Sequence, residues 1–243
     1  MPEALPRLAL LAGGLATRLG ALTRSIPKSL LPVCGEPFLA HQLRLLAAHG
    51  VREVVLCIGH QGEQVRSFAG DGSRFGCRIF YSHDGDAPLG TGGALRRALP
   101  LLGEEFFVLY GDSYLTAGFA AAWNDFLYSG KPALMTIFRN EGRWDASNVE
   151  VREGRIVRYS KSCRTDGMQY IDYGLNILRA EVLQAWPEGA CFDLEEVMGR
   201  LAAQGLLAAH EVDGRFYEIG SFEGLRMTEE YLARNLLSPG VAG

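Results

Sequence analysis

Two glycine-bearing loops and four charged side chains carry the chemistry written in this sequence. The first loop, Gly13-Gly14-Leu15-Ala16-Thr17-Arg18-Leu19, follows a short apolar run, Leu8 to Ala12. Glycines let backbone N–H groups approach phosphate oxygens, and a guanidinium such as that of Arg18 grips an anion through two parallel hydrogen bonds. Ten residues on, Lys28 stands between Pro27 and Ser29, ahead of Leu30-Leu31-Pro32-Val33. A fixed ammonium there offsets phosphate charge. The second loop, Pro88-Leu89-Gly90-Thr91-Gly92-Gly93-Ala94, opens a helical segment. It leaves orphan N–H donors and a bare backbone against which a base or ribose can pack. Asp112 closes the run Val108-Leu109-Tyr110-Gly111 and has the chemistry of a Mg²⁺ ligand. Glu218 lies in Phe216-Tyr217-Glu218-Ile219-Gly220-Ser221. Each has an ordinary reading alone: a glycine turn, a solvated lysine, a turn aspartate, an outward strand residue. Together they form the inventory of a phosphoryl or nucleotidyl transfer site, where cations and a metal neutralise charge and positioning does the rest.

The elements that must position these groups alternate along the first half. Apolar runs at Leu8 to Ala12, Val51 to Ile58, Arg78 to Ser82, Phe106 to Tyr110 and Ala133 to Phe138 read as strands. Phe38 to His49, with apolar residues at 39, 43 and 46, reads as a helix stopped by Gly50. Gly62 to Ala69 and Thr91 to Leu102 read as two more, and Thr116 is placed to cap a helix carrying Phe119, Trp123 and Phe126. Continuous apolar strands separated by helices predict a parallel sheet covered on both faces. Ligands of such sheets bind at the carboxyl ends of the strands, where the first loop and Asp112 fall. After about residue 140 the rhythm changes. Glu153-Gly154 predicts a hairpin, Tyr170 to Leu178, Leu207 to Val212 and Phe216 to Ile219 predict strands, and Asp193 with Glu196 predicts a capping box. Ser221 starts a last helix. The fold class is therefore α/β, with a Rossmann-like, mostly parallel central sheet and a more antiparallel C-terminal half. We read residues 1–243 as one domain: a nucleotide-binding half over 1–140, a more antiparallel half over 141–235, and a loose tail over 236–243.

Composition narrows the partners. The chain has 243 residues, 48% of them hydrophobic and 21% charged, which is globular. Its formal charge of −4 argues against a nucleic-acid backbone binder. Glycine, at 30 residues, exceeds the usual share of about 7%, and much of the excess lies in the two loops. No run approaches a spanning helix and no signal h-region is evident, so no membrane partner is expected. The five cysteines show no Cys-x-x-Cys spacing; Cys57 and Cys77 read as buried thiols, and the expected compartment is a reducing cytoplasm. A homo-oligomer is left open.

In order and spacing these motifs resemble the sugar-phosphate nucleotidyltransferase family, whose signature runs G-G-x-G-T-R-L-x-P-L-T-x-x-x-P-K-x-x-x-P-V. The chain carries Gly13-Gly14-Leu15-Ala16-Thr17-Arg18-Leu19-Gly20-Ala21-Leu22-Thr23, then Pro27-Lys28 and Pro32-Val33. The resemblance covers about residues 7 to 235 and is nearest to the short bacterial enzymes acting on heptose 1-phosphate or N-acetylmuramate 1-phosphate. It implies that Arg18 and Lys28 are catalytic, meeting the leaving pyrophosphate and the reacting phosphates. It implies nucleotide binding by Leu11, Ala12, Gly13, Gly14, Leu89, Gly90, Thr91 and Gly92, and a base-reading role for Asp84. It implies sugar-phosphate binding by Asn148, Lys161, Asp172 and Gly174, and Mg²⁺ binding by Asp112 and Glu218. The substrates would be an NTP and a sugar 1-phosphate. A carboxylate at Asp84 can accept from guanine N1–H and its 2-amino group, which favours GTP. Ala16 for Gly, Ala21 for Pro, and Glu218 for the usual metal-binding Asp depart from the pattern.

The reaction so implied is in-line attack of a sugar 1-phosphate oxygen on the α-phosphorus, giving an NDP-sugar and pyrophosphate. That nucleophile is ionised at neutral pH and needs no general base, in keeping with five scattered histidines. Two other uses of the same pocket stay open: UTP with an amino-sugar 1-phosphate, and a non-catalytic sugar-nucleotide sensor. A Rossmann dehydrogenase would need a Gly-x-Gly-x-x-Gly loop that this chain lacks.

Overall fold

A two-residue period decides which way each central strand faces. In β1 (Leu8–Leu11), Leu8 and Leu10 enter one core and Ala9 the other. β4 (Glu53–Ile58) sends Val54, Leu56 and Ile58 to the first core and Val55 and Cys57 to the second; β6 (Glu105–Tyr110) divides Phe107 and Leu109 from Phe106 and Val108 in the same way. Such strands are apolar throughout because both faces are covered. The computed structural model describes residues 5–14, 19–20, 25–85, 87–116, 118–144 and 146–236.

Between β1 and β4 the chain makes a small ribbon of β2 (Pro32–Val33) and β3 (Glu36–Pro37), then α1 (Phe38–Ala48). Next come α2 (Gly62–Ala69), β5 (Arg78–His83) and α3 (Gly90–Leu102), and after β6 come β7 (Ser113–Tyr114), α4 (Phe119–Ser129) and β8 (Ala133–Arg139). The second half supplies β9 (Val149–Arg152), β10 (Arg155–Tyr159), β11 (Tyr170–Arg179), α5 (Glu181–Gln184), α6 (Leu194–Ala203), β12 (Leu207–Val212), β13 (Tyr217–Glu218) and α7 (Phe222–Leu236). Side chains of α1, α2 and α4 fill one face of the sheet; α3, α5 and α6 fill the other.

One nine-stranded sheet runs through both halves. β5, β4, β1 and β6 are parallel neighbours, with Leu8 opposite both Val54 and Phe107. β11 then enters antiparallel to β6, and β8 lies on its other side, also antiparallel. β12 pairs parallel to β8, and β9 with β10 forms the expected hairpin. β8 thus runs in the same direction as β6 but is separated from the parallel block by the antiparallel β11. Burial on both faces makes a strand apolar whatever its direction. The capping box at Asp193 and Glu196 forms as read. Thr116 does not cap α4: Gly118 holds that position, and the Thr116 hydroxyl donates to the Arg215 carbonyl. All five cysteines are free, and burial, with Asp84 adding to it, pushes the Cys57 thiol up to about 12. No described helix is long and apolar enough to cross a membrane.

Candidate active site

The parallel block brings the carboxyl ends of β1 and β6 side by side, with Leu11 opposite Tyr110. Just past those ends lies a cleft of about 380 Å³. Leu11, Ala12, Gly13 and Gly14 line it from the end of β1, Gly90 and Thr91 from α3, and Lys28 and Asp112 from the segments beside it. Lys28 and Asp112, distant in sequence, meet here: Lys28 Nζ donates to Asp112 Oδ2 at 2.6 Å. Among the described residues a Cβ on Gly14 would meet nothing within 4 Å, so there is room beside Gly14, whereas one on Gly13 would press on Gly59 N at 2.9 Å. Arg18, Ala16 and Ala21 lie outside the described residues.

Glu218 reaches the same place by a different path. β13 pairs with β7, setting Glu218 opposite Ser113 and next to Asp112. A Cβ on Gly220 would lie 2.5 Å from Glu218 Oε2, 3.0 Å from Lys28 Nζ and 3.5 Å from Asp112 Oδ2, so the three charged groups converge over that glycine. Gly220 N–H and the Ser221 hydroxyl both donate to the Glu218 carboxylate, the latter at 2.6 Å. A Cβ on Gly224 would overlap Glu218 Oε1. Glycine at 220 and 224 thus makes the room that the extra methylene of glutamate needs. Two carboxylates held this way fit Mg²⁺, which takes one or two protein carboxylates and completes its shell with phosphate oxygens and water. No larger cluster of metal-binding side chains exists among the described residues.

The glycines of the second loop correct one expectation. Gly92 does not line the cleft; a Cβ there would overlap the Phe192 ring, and one on Gly93 would overlap the Ala190 carbonyl. The N–H groups read as orphans are satisfied within the chain: those of Gly92 and Gly93 donate to Phe192 O, and that of Thr91 to Asp193 Oδ1. Close packing against the segment before α6 is therefore what Gly92 and Gly93 make room for, while Leu89 is buried beneath. Asp84 lies in an adjoining hollow of about 430 Å³ with His60 and His83, sharing Gly13 and Pro88 with the cleft. Its Oδ1 is buried without a hydrogen-bond partner among the described residues, and burial raises its pKa, countered in part by Arg97 and His83.

The expected sugar-phosphate residues form a mesh on the antiparallel side. Asn148 Oδ1 accepts from Asp172 N–H at 2.8 Å. Asp172 accepts from Gly174 N–H and from the Tyr159 hydroxyl. Gly174 sits at φ +102° where the β11–β8 register shifts. Lys161 Nζ lies 4.7 Å over the Tyr110 ring and donates to its hydroxyl at 3.4 Å. Desolvation works against the Lys161 charge, but Tyr110, Asp172 and Glu195 outweigh it and lift its pKa above the usual lysine value. Burial pushes the Tyr110 phenol up to about 12. Three residues that sequence reasoning missed belong here. Tyr110 and Asp193 line the cleft, and Glu195 accepts from Lys161 N–H at 2.7 Å. The signals were faint: a polar ring ending an apolar strand, and a capping box that also faces a pocket.

Residues 9–146 match the model of a family described as Nucleotidyl transferase. Mannose-1-phosphate guanyltransferase beta-B of Xenopus laevis is 31% identical over 217 residues, covering 87% of this chain and 60% of that one. The chain thus spans well under two thirds of the length of that relative. D-glycero-alpha-D-manno-heptose 1-phosphate guanylyltransferase of Campylobacter jejuni is 28% identical over 212 residues, covering 87% of this chain and 93% of its own. The crystal structure of HddC from Yersinia pseudotuberculosis has the same fold, with a TM-score of 0.78 at 21% identity over 94% of this chain and 100% of that one.

Proposed function

The chain belongs to the nucleotidyl transferase family, and from that we propose that it transfers a nucleotidyl group from an NTP to a sugar 1-phosphate, releasing pyrophosphate and forming an NDP-sugar. The observation that carries this reading is the convergence of Lys28, Asp112 and Glu218 beside the cleft that Leu11 to Gly14 line. One oxygen of the sugar phosphate attacks the α-phosphorus; the α–β bridging bond breaks and its electrons leave with pyrophosphate. In this reading Lys28 neutralises the reacting phosphates, and Arg18 the leaving pair. Lys161, kept protonated over Tyr110, takes the sugar phosphate, with Asn148, Asp172 and Gly174 shaping the pocket behind it. Asp112 and Glu218 would hold Mg²⁺, which lowers the repulsion between the incoming phosphate and the triphosphate. Gly90 and Thr91 line the α3 end of the nucleotide site, with Leu89 and Gly92 packed behind them.

For the base we favour guanine. The unpartnered Asp84 Oδ1 beside the cleft offers an acceptor suited to guanine N1–H and its 2-amino group. For the compartment we favour the cytoplasm, since five free thiols suit a reducing environment. The test is a matrix of four NTPs against several sugar 1-phosphates, read by released pyrophosphate. GTP with a heptose or hexose 1-phosphate is expected to give the highest kcat/KM. Nucleotide binding without pyrophosphate release for any acceptor would instead identify a sensor.

A further inference from the structure

Among the described residues none from α1 lines the cleft, yet its first two turns hold both segments that carry Lys28 and Asp112. Gln42 is the link to Asp112, and its side chain is fully buried. Nε2 donates to the Ser113 carbonyl at 2.7 Å and to the Tyr110 carbonyl at 3.2 Å. One amide thus spans the turn on which Gly111 and Asp112 stand. Both partners are carbonyls, which only accept, so the NH2 end of the amide must face them. The same turn is held from two other sides. Gly111 N–H donates to the Leu11 carbonyl at 3.0 Å, and the Asp112 carbonyl accepts from Ile219 N–H at 3.0 Å. His41, the residue before Gln42, does the matching task for Lys28. Its Nε2–H donates to the Val33 carbonyl at 2.9 Å, and Phe38 N–H donates to the Leu31 carbonyl at 2.9 Å. Both carbonyls follow closely on the single turn Lys28–Leu30. Adjacent helix residues project about 100° apart, so His41 and Gln42 grip the two segments separately.

The buried amide is not explained by packing. Its Oε1 is buried with no hydrogen-bond partner among the described residues. An orphaned buried acceptor destabilises, so packing alone would favour an apolar side chain of the same length. Glutamine supplies two donors to the carbonyls that flank Asp112, which methionine or leucine cannot do. We propose that Gln42 is a positioning residue: it sets the Gly111–Asp112 turn so that the Asp112 carboxylate meets Lys28 and Glu218 over the reacting phosphates and the divalent ion. The inference rests on the nucleotidyl transfer proposed above and adds the group that aims its carboxylate. A merely structural Gln42 would change the melt and leave the chemistry alone.

The test uses Gln42→Met, which keeps the length and removes both donors, and Gln42→Glu, which keeps the shape and sets an oxygen against the two carbonyls. Leu183→Ala is the control for lost stability: Leu183 is fully buried in the core on the other face of the sheet. Pyrophosphate release is followed with the best pair from the matrix of four NTPs against hexose and heptose 1-phosphates. In Gln42→Met, kcat is expected to fall about 10- to 100-fold while the KM for NTP moves less than about threefold. With the same NTP and no acceptor, Mn²⁺ stands in for Mg²⁺ and is read by electron paramagnetic resonance. Its affinity for the protein–NTP complex should drop about tenfold in Gln42→Met. Gln42→Glu should lose at least as much, and where one of the two variants fails to fold the other decides. Leu183→Ala, assayed below its melt, should keep the parent kcat and Mn²⁺ affinity. A parent kcat or a parent Mn²⁺ affinity in Gln42→Met, or equal losses in Leu183→Ala, overturns the inference. If no acceptor is turned over, the transfer reading fails. Crystal structures of the variants then decide Gln42 separately. The Lys28–Asp112 separation must open beyond about 3.2 Å in Gln42→Met and stay as in the parent in Leu183→Ala; an unmoved pair overturns the assignment.

Discussion

The two sides of the cleft are built differently on one sheet. On the proposed nucleotide side, Leu11 to Gly14 runs off β1, and two side chains, Lys28 and Asp112, line the cleft with it at 2.6 Å from each other. The proposed acceptor side is a mesh of side chains. Asn148, Asp172, Tyr159, Lys161, Tyr110 and Glu195 come from β6, β10, β11, α6 and the loops between them, and hold one another by hydrogen bonds. A site of backbone and fixed charge depends on a few positions absolutely. A mesh of mutually hydrogen-bonded side chains couples its members, so the effect of losing one is not the sum of its separate contacts.

That contrast can be broken by experiment, starting where the largest effect is expected. Lys28→Ala and Asp112→Ala should each lower turnover by about two decades or more, the range seen when an electrostatic stabiliser is removed. Wild-type pyrophosphate release in either would remove that residue from the mechanism. On the acceptor side, Lys161→Ala should raise the KM for sugar phosphate about tenfold, the scale of one charge-assisted hydrogen bond, with NTP affinity retained. A matching loss of NTP affinity, read by calorimetry, would erase the division between the two sides.

Gly92→Ala tests whether the α3 glycines serve packing. A methyl would press on the Phe192 ring, which is stacked on Trp186 at 4.1 Å. The expected destabilisation is about 1–3 kcal/mol by denaturant melts. An unchanged melt with weaker nucleotide binding would return this glycine to direct ligand contact. Asp84→Asn should have a smaller effect. Burial raises the folded-state pKa of Asp84, so the folded form holds its proton to higher pH than the unfolded chain does. Stability is therefore lost as pH rises from the ordinary carboxylate value through the raised one, and the penalty persists above it. The amide should raise Tm at neutral pH, lose that advantage in acid, and weaken any preference for GTP. The smallest change is Tyr159→Phe, which removes one donor to Asp172 and should cost about 1 kcal/mol.

How much could be read before the fold follows the same division. Gly13-Gly14, Lys28 and Asp112 were legible because each lies at a strand end or in a short fixed motif, and a parallel sheet carries all such ends to one edge. Gly92 was misread because a glycine that admits a ligand and one that admits a neighbouring ring look the same in a sequence. Asp193 was seen only as a helix-start residue and Glu195 was not singled out, since nothing local reveals that α6 begins against Thr91 and Lys161.

The order of apolar runs, turns and caps determined the alternating layers and the kinds of charge available, because those depend on neighbours within a few residues. Only the tertiary structure decided which charges meet. The insertion of β11 between β6 and β8, the approach of Glu218 over Gly220, and the stacking of Arg215 between Trp144 and Tyr217 join residues far apart in the chain. Such contacts are set by how whole elements pack, and no short stretch of sequence contains both partners.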